Sequence, residues 1–304
     1  MIKDQAACPF RAFAAKRLNA EDLNRSEWGL SAGERGILLH KVMEQLWSPG
    51  KDRFHTLADL RAAIAEGRLR AVIEDVIADV FAPLVKEQRG DAWMKAYLAS
   101  EHRRLLTRLE EWLLIDAERV PFTVEATEKV LDDVSVGGLK LRLRADRIDR
   151  LGDDGLADGQ RLLIDYKSGK VSTKDWDGMR PNEPQLPLYA IFGNVEDVCG
   201  VAFARINVEK TGLEGCVSDA RKQLFADKGA NSKLVKNPYD KTMRDEWTAA
   251  LLNLAEDFLH GEAQVDPKDG TKTCKFCAMP GLCRVAELRE ASTEDEAEPG
   301  EDDE

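Results

Sequence analysis

The chain has 304 residues, 43% hydrophobic and 33% charged, enough for one large domain or two small ones and for a sizeable buried core. No apolar run approaches the roughly 20 residues of a membrane helix, so no membrane-spanning helix is expected. The net charge of −12 argues against nucleic acid, but nine of the 56 acids crowd into Glu290–Glu304, which has no base, leaving 47 acids against 44 bases elsewhere.

The opening Met1-Ile2-Lys3-Asp4-Gln5-Ala6-Ala7-Cys8 lacks the apolar core of a signal peptide, so a soluble, cytoplasmic protein without membrane contact is expected. Residues 1–118 read as mostly helical. Leu39, Val42, Met43 and Leu46 recur at helical spacing in Arg35–Trp47, and Ser48-Pro49-Gly50 ends that run. Leu57–Leu84 and Ala92–Ala117 are two further amphipathic stretches, with Leu105, Leu109, Trp112 and Leu113 forming a core stripe. The period changes near Val120. Phe122–Leu131 and Val134–Leu151 alternate as strands, and Gly137-Gly138 marks a tight turn. Gly152-Asp153-Asp154-Gly155 opens the connection to a third strand, Leu162–Lys167. A helix is expected around Gln185–Phe192, a strand over Val198–Val208, a short helix over Ser218–Ala226 and loop over Lys228–Pro238. Tyr239–Leu259 reads as an amphipathic helix stopped by Gly261. Residues 262–289 form a loop-rich segment with three cysteines, and 290–304 an acidic, disordered tail.

The chemistry concentrates on two strands. Arg144-Ala145-Asp146-Arg147-Ile148-Asp149 is followed, after a break, by Ile164-Asp165-Tyr166-Lys167-Ser168-Gly169. Residues two apart on a strand share a face, so Asp165 and Lys167 point one way and Ile164 and Tyr166 the other. An antiparallel pairing brings Asp146 close to Asp165. Carboxylates are hard ligands for Mg²⁺ or Mn²⁺, and an ammonium beside them can meet a phosphate oxygen. Bases also gather here: Arg142, Arg144, Arg147, Arg150, Lys170, Lys174 and Arg180. For Arg142 and Arg150, phosphate contact and the solvated face of a strand are equal readings. Asp149 competes with Asp146 for the metal.

Asp146 with Asp165-x-Lys167 resembles the signature of the PD-(D/E)xK nucleases in their RecB-like form. Gly36-x3-His40 upstream, Gln185-x3-Tyr189 downstream, and Cys8 with Cys274-x2-Cys277-x5-Cys283 match further elements of that branch, in its AddB-type subgroup. The resemblance runs from Cys8 to Cys283. It implies an α/β fold with a restriction-endonuclease-like core, a mixed central sheet flanked by helices, a helical N-terminal region and a cysteine-rich C-terminal staple. Residues 1–289 would form one nuclease domain: 1–118 helical, 119–261 the catalytic core, 262–289 closing onto Cys8.

The resemblance also implies roles. His40, Asp146, Asp165 and the Tyr166 carbonyl would bind Mg²⁺ or Mn²⁺, with Asp146 taken before Asp149. Lys167 would position or deprotonate water, the Gln185 amide would bond near the site, and Tyr189 would meet the substrate strand. Glu125 is a weaker candidate acid because its register against Glu128 is open, and Glu44, one turn after His40, reads as structural. The reaction would be phosphodiester hydrolysis on single-stranded DNA or DNA ends, exonucleolytic, in double-strand-break repair and recombination beside a helicase subunit or helicase-like domain. A standalone CRISPR-adaptation exonuclease of RecB type and a catalytically silent DNA- or partner-binding module are the alternatives.

Cys274, Cys277 and Cys283 fall within ten residues and need a fourth ligand. Zinc and an iron–sulfur cluster are the two physical alternatives, and spacing alone favours zinc. The resemblance implies a [4Fe–4S] cluster with Cys8 as the remote ligand. Cys199, in an apolar strand, and Cys216, in a loop, read as unliganded.

Overall fold

The computed structural model describes residues 1–21, 28–50, 52–87, 91–152, 159–219, 224–225, 235–275, 277–285 and 287. Two short helices, α1 (Ile2–Ala7) and α2 (Pro9–Lys16), precede α3 (Ala32–Trp47). Ser31 starts α3 with a reciprocal cap: its hydroxyl accepts from the Glu34 N–H while the Glu34 carboxylate accepts from the Ser31 N–H. The stretch expected as one helix from Leu57 to Leu84 is two, α4 (Leu57–Ala65) and α5 (Leu69–Glu87). Gly67 separates them at φ +68°, a conformation that ends helices and favours glycine. The long α6 (Ala92–Asp116) follows.

Among the described residues six strands form one sheet in sequence order: β1 (Phe122–Val136), β2 (Leu139–Leu151), β3 (Arg161–Lys167), β4 (Val198–Arg205), β5 (Gly212–Val217) and β6 (Val235–Pro238). β1, β2 and β3 pair antiparallel, β3 and β4 parallel, β4 and β5 antiparallel, and β5 and β6 parallel. The turn between β1 and β2 falls at Gly137 and Gly138, both at positive φ, as expected. Two expectations fail at the far edge. Val235–Pro238 is strand rather than loop, and Cys216 lies buried in β5 rather than in a loop. Val235–Pro238 is too short to show a period, and glycines break up Gly212–Val217; pairing to β5 and β4 makes them strands. Of the helix expected over Ser218–Ala226, residues 220–223 and 226 lie outside the described residues; Phe225 within it bridges to Arg119. Gly152 is the last described residue before the β2–β3 connection, and the acidic tail also lies outside.

Two apolar clusters cover the sheet. One gathers residues of α3–α6 with Leu162, Ile164 and Tyr166 of β3; the other gathers α1, α7 (Gln185–Phe192) and α8 (Lys241–His260) with Leu163 of β3. Alternate residues of β3 thus feed opposite cores, as a strand buried on both faces requires. The ends of the chain also meet. The Phe10 N–H donates to the Gln264 carbonyl at 3.0 Å and the Lys268 N–H to that of Ala7 at 2.9 Å. Arg180 ties to the carbonyls of Ala6 and Ala7 and to Asp266. Two short helices, α9 (Thr271–Cys274) and α10 (Pro280–Cys283), carry two of the cysteines.

Candidate active site

β2 and β3 are paired from Arg150/Arg161 to Arg147/Ile164. Asp146 and Asp165 lie immediately beyond, where the Tyr166 N–H donates not to backbone but to Asp146 Oδ2, at 2.9 Å. Both carboxylates are 1% exposed, far more buried than acids normally are. Asp146 Oδ1 and Asp165 Oδ1 have no hydrogen-bond partner. Asp165 Oδ2 has the Lys167 ammonium at 2.8 Å, without hydrogen-bond alignment.

α3 carries His40 to the same place. Its Nδ1 stands 3.2 Å from Glu128 Oε1 and 3.5 Å from Asp146 Oδ2, and its Nε2 lies 3.1 Å from the Tyr166 carbonyl oxygen. His40, Glu128 and Asp146 present ligand atoms within 4.8 Å of one another, a set able to hold a metal ion. Glu128 reaches it because β1 enters the left-handed region there (φ +46°), unusual for a residue with a side chain. Its other oxygen takes Arg144 at 3.0 Å.

The charges explain one another. Burial opposes a charged imidazole, yet Asp146 and Glu128 together raise His40 to about 10. Burial pushes Asp146 upward, but His40 and the Tyr166 N–H hold it below the ordinary carboxylate value. Burial, followed by repulsion from Asp146, lifts Asp165 to about 7, although Lys167 pulls it back. Burial disfavours charge on Lys167 too, but Asp165 and Glu183 raise it to about 12. His40 and Lys167 stand against the two aspartates, and the aspartates' bare oxygens are left free to accept a metal ion.

The other expected residues divide. The Gln185 amide donates to the Arg144 carbonyl at 3.2 Å, bracing β2 two residues before Asp146. Tyr189 is 1% exposed in the core beneath α7, and its hydroxyl is enclosed without a partner. Arg147, counted among bases near the motif, is wholly buried and binds Asp149 and Asp116. The same contacts engage Asp149, so Asp146 is the acid of that pair turned toward His40. Arg142 is a surface residue paired with Asp132. Glu125 pairs with Arg161 at 2.9 Å, away from His40.

Sequence reasoning missed Glu183, and it named Glu128 only as the residue that left the register of Glu125 open. Glu183 lies 3.2 Å from Lys167 and also takes Lys3. A strand bulge between Val124 and Ala126 sets which of Glu125 and Glu128 faces the site, and no local pattern encodes it. For Glu183 the only signal is its place two residues before Gln185.

The four expected cluster cysteines, Cys8, Cys274, Cys277 and Cys283, line one small cavity with Phe10, Val265 and Met279. A single zinc at about 2.3 Å from each sulfur would draw them to roughly 3.8 Å apart. The cavity they share fits either that ion or an iron–sulfur cluster.

This arrangement of sheet, paired acids and lysine has a family. The chain belongs to the PD-(D/E)XK nuclease superfamily, whose model matches residues 2–284. Its core is accordingly restriction-endonuclease-like, in the RecB-like branch. Two curated relatives are ATP-dependent helicase/deoxyribonuclease subunits, one from Lacticaseibacillus paracasei and one from Lacticaseibacillus casei. Each is 29% identical over 166 residues, half of this chain, and the match spans 14% of the relative's length. Among solved structures, SSO0001 aligns at 18% identity over 82% of this chain and 95% of that one, with a TM-score of 0.31.

Proposed function

We propose that this nuclease is a Mg²⁺- or Mn²⁺-dependent deoxyribonuclease that hydrolyses phosphodiester bonds of single-stranded DNA or DNA ends, exonucleolytically. The observation that carries this reading is the pair of buried, unpartnered oxygens on Asp146 and Asp165 beside the Lys167 ammonium. Buried charged oxygens without partners are costly, and the cost is relieved when a cation binds. His40, Asp146, Asp165 and the Tyr166 carbonyl would hold that ion, with Glu128 at its edge. When bound there, such an ion would supply charge neutralisation at the phosphate and lower the pKa of a water.

The residues of the chain do the rest. Lys167, held between Asp165 and Glu183, is fixed where an ammonium can orient the attacking water and meet the charge that grows on the phosphate. His40 must give up its proton to act as a ligand, so metal binding and deprotonation are coupled. Gln185 acts through β2, holding the strand that carries Asp146.

A [4Fe–4S] cluster held by Cys8, Cys274, Cys277 and Cys283, rather than zinc, is the reading that the family resemblance favours, and the convergence of the four on one cavity supports it. Such a cluster would staple the two ends of the domain and close nearly the whole chain into a loop. The names of the relatives support work beside a helicase in double-strand-break repair and recombination. The chain carries no Gly-x4-Gly-Lys-Ser/Thr phosphate loop, so the motor would lie in another segment or protein. No helix of the described residues is long and apolar enough to cross a membrane. The proposed work on DNA would be cytoplasmic.

The test is degradation of labelled single-stranded, double-stranded and nicked DNA by the wild-type protein and Lys167→Ala, with Mg²⁺, Mn²⁺ or chelator. Metal-dependent cleavage that falls by about 10³-fold or more in the variant is expected. Cleavage that survives both chelation and the substitution would overturn the mechanism. Metal analysis of the same anaerobic preparation should find iron and sulfide; stoichiometric zinc would overturn the cluster.

A further inference from the structure

α6 carries a stripe, exposed at Trp93 and Arg104 and half-buried between and beyond them, that the catalytic reading leaves unused. Trp93, Tyr97, Glu101, Arg104 and Arg108 are spaced so that all five share one side of the helix. The stripe runs ~22 Å along the axis. Its C-terminal end opens on a cavity lined by Arg35, Arg104 and Arg108, by Leu39, which precedes His40, and by Ser168, which follows Lys167. No acid lines that cavity. Glu101 lies beside it and fixes Arg104 at 2.7 Å, while Glu111 takes Arg108 at 2.7 Å. Three arginines against two acids leave the cavity positive. Arg108 Nε is buried there without a partner.

The other end of the stripe is aromatic. Trp93 stacks on Tyr97 with centroids 5.5 Å apart and planes 5° from parallel, and Trp28 meets Trp93 edge-on at 5.8 Å. The Tyr97 hydroxyl accepts from the Leu30 N–H at 3.0 Å, and the Leu30 carbonyl accepts from Arg35 at 2.9 Å. Gly29 lies flat on Tyr97 at φ +87°; a Cβ there would meet the ring at 2.6 Å, so the position needs glycine. This built contact holds Trp28 out in solvent at 90% exposure, with Trp93 at 50%. Trp28 and Trp93 thus form one contiguous exposed aromatic patch, the kind of surface that marks an interaction site.

We propose that Trp28, Trp93, Arg35, Arg104 and Arg108 form a track for single-stranded DNA, with bases stacking on the tryptophans and phosphates passing the arginines toward Ser168 and Lys167. Every base has a stackable face and every nucleotide a phosphate, so the track would be indifferent to sequence. Duplex DNA, whose bases are already stacked, cannot use the aromatic end. The inference rests on the reading that the neighbouring site cuts DNA.

The experiment is fluorescence anisotropy of a labelled oligothymidylate of about 15 nucleotides with the full chain in metal-free buffer, so that binding is read without cleavage. The double variant Trp28→Ala/Trp93→Ala should bind about tenfold or more weakly. Arg104→Ala/Arg108→Ala should flatten the dependence of log K on log salt by about 1.4. Trp28→Ala alone removes only an exposed side chain and guards against a folding defect. Equal affinity of wild type and both tryptophan variants, or wild-type preference for duplex, would overturn the track. So would a second copy of the chain on this face, seen as a dimer in sedimentation that Trp28→Ala dissolves. Intact cleavage with tryptophan-independent binding sinks the track alone; tryptophan-dependent binding without any cleavage sinks the nuclease reading alone.

Discussion

β2 carries two buried charge sites on its two faces, one residue apart. On one face Arg147 forks onto Asp149 at 2.6 and 2.9 Å and reaches Asp116 at 2.7 Å, while Arg119 reaches Asp116 and Asp149 at 2.8 Å each. Two cations meet two anions, all 0% exposed, and the Arg147 guanidinium lies over Trp47 and Phe122 at 4.1 and 4.7 Å. On the other face Asp146 and Asp165 are as deeply buried but repel each other and keep bare oxygens. Every carboxylate oxygen of the quartet meets a guanidinium, although Arg119 Nε and Nη2 stay unpartnered; the acid pair, beside His40 and Lys167, keeps bare oxygens that a cation would engage. Depth of burial therefore does not distinguish a structural charge site from a functional one. Unmet carboxylate oxygens do.

The comparison breaks most readily at Arg147. Replacing it with Met keeps much of the volume but leaves Asp149 and Asp116 with Arg119 alone. Removing one partner of a buried ion pair costs about 3–5 kcal/mol. We expect that loss in chemical denaturation of Arg147→Met, with or without metal. A loss below about 1 kcal/mol would mean that the quartet does not hold β2 under α6, and its contrast with the acid pair would collapse.

Acid sharpens the same contrast at smaller size. Burial works against the charge on Asp116, but Arg147 and Arg119 overcome it and hold its carboxyl below the ordinary value. A group whose folded pKa is depressed contributes stability above its unfolded pKa, about 3.9, and loses it as pH falls through the folded value. Stability should thus fall as the pH drops below about 4, and Asp116→Asn should remove that part of the slope. An acid limb of the unfolding curve identical in Asp116→Asn would show that other carboxylates carry it.

What the sequence revealed follows from how far each signal reaches. The acid-bearing strands, the Gly137-Gly138 turn and the helix closed by Gly261 were legible because alternation, positive-φ glycines and apolar period are local. The fate of Arg147 was not. A basic residue next to Asp146 looks like a phosphate ligand until α6 and Trp47 are known to cover that face. Glu128 was hidden for a related reason: a bulge and a left-handed residue, neither written in composition, decide which acid of β1 meets His40. The separation of α4 from α5 was the avoidable miss, since Glu66-Gly67 already interrupts the apolar period.

The smallest expected change is the most discriminating. Asp165→Asn is nearly isosteric and removes a carboxylate that burial and Asp146 both disfavour, leaving Lys167 its second partner, Glu183. Without metal, the variant should melt no lower than the wild type. A structural acid behaves oppositely: the same change at Asp149 leaves Arg147 and Arg119 undercompensated in the interior. Adding Mg²⁺ or Mn²⁺ should then separate the curves, because a ligand at about 100 times its Kd stabilises the native state by about 2.7 kcal/mol. The wild type should gain, and Asp165→Asn should gain little, so that the order of the two melting temperatures reverses or a tie is broken in favour of the wild type. If Asp165→Asn is instead destabilised by more than about 2 kcal/mol in chelator, Asp165 is a fold-holding acid like Asp149. The functional reading of its bare oxygens would then fail.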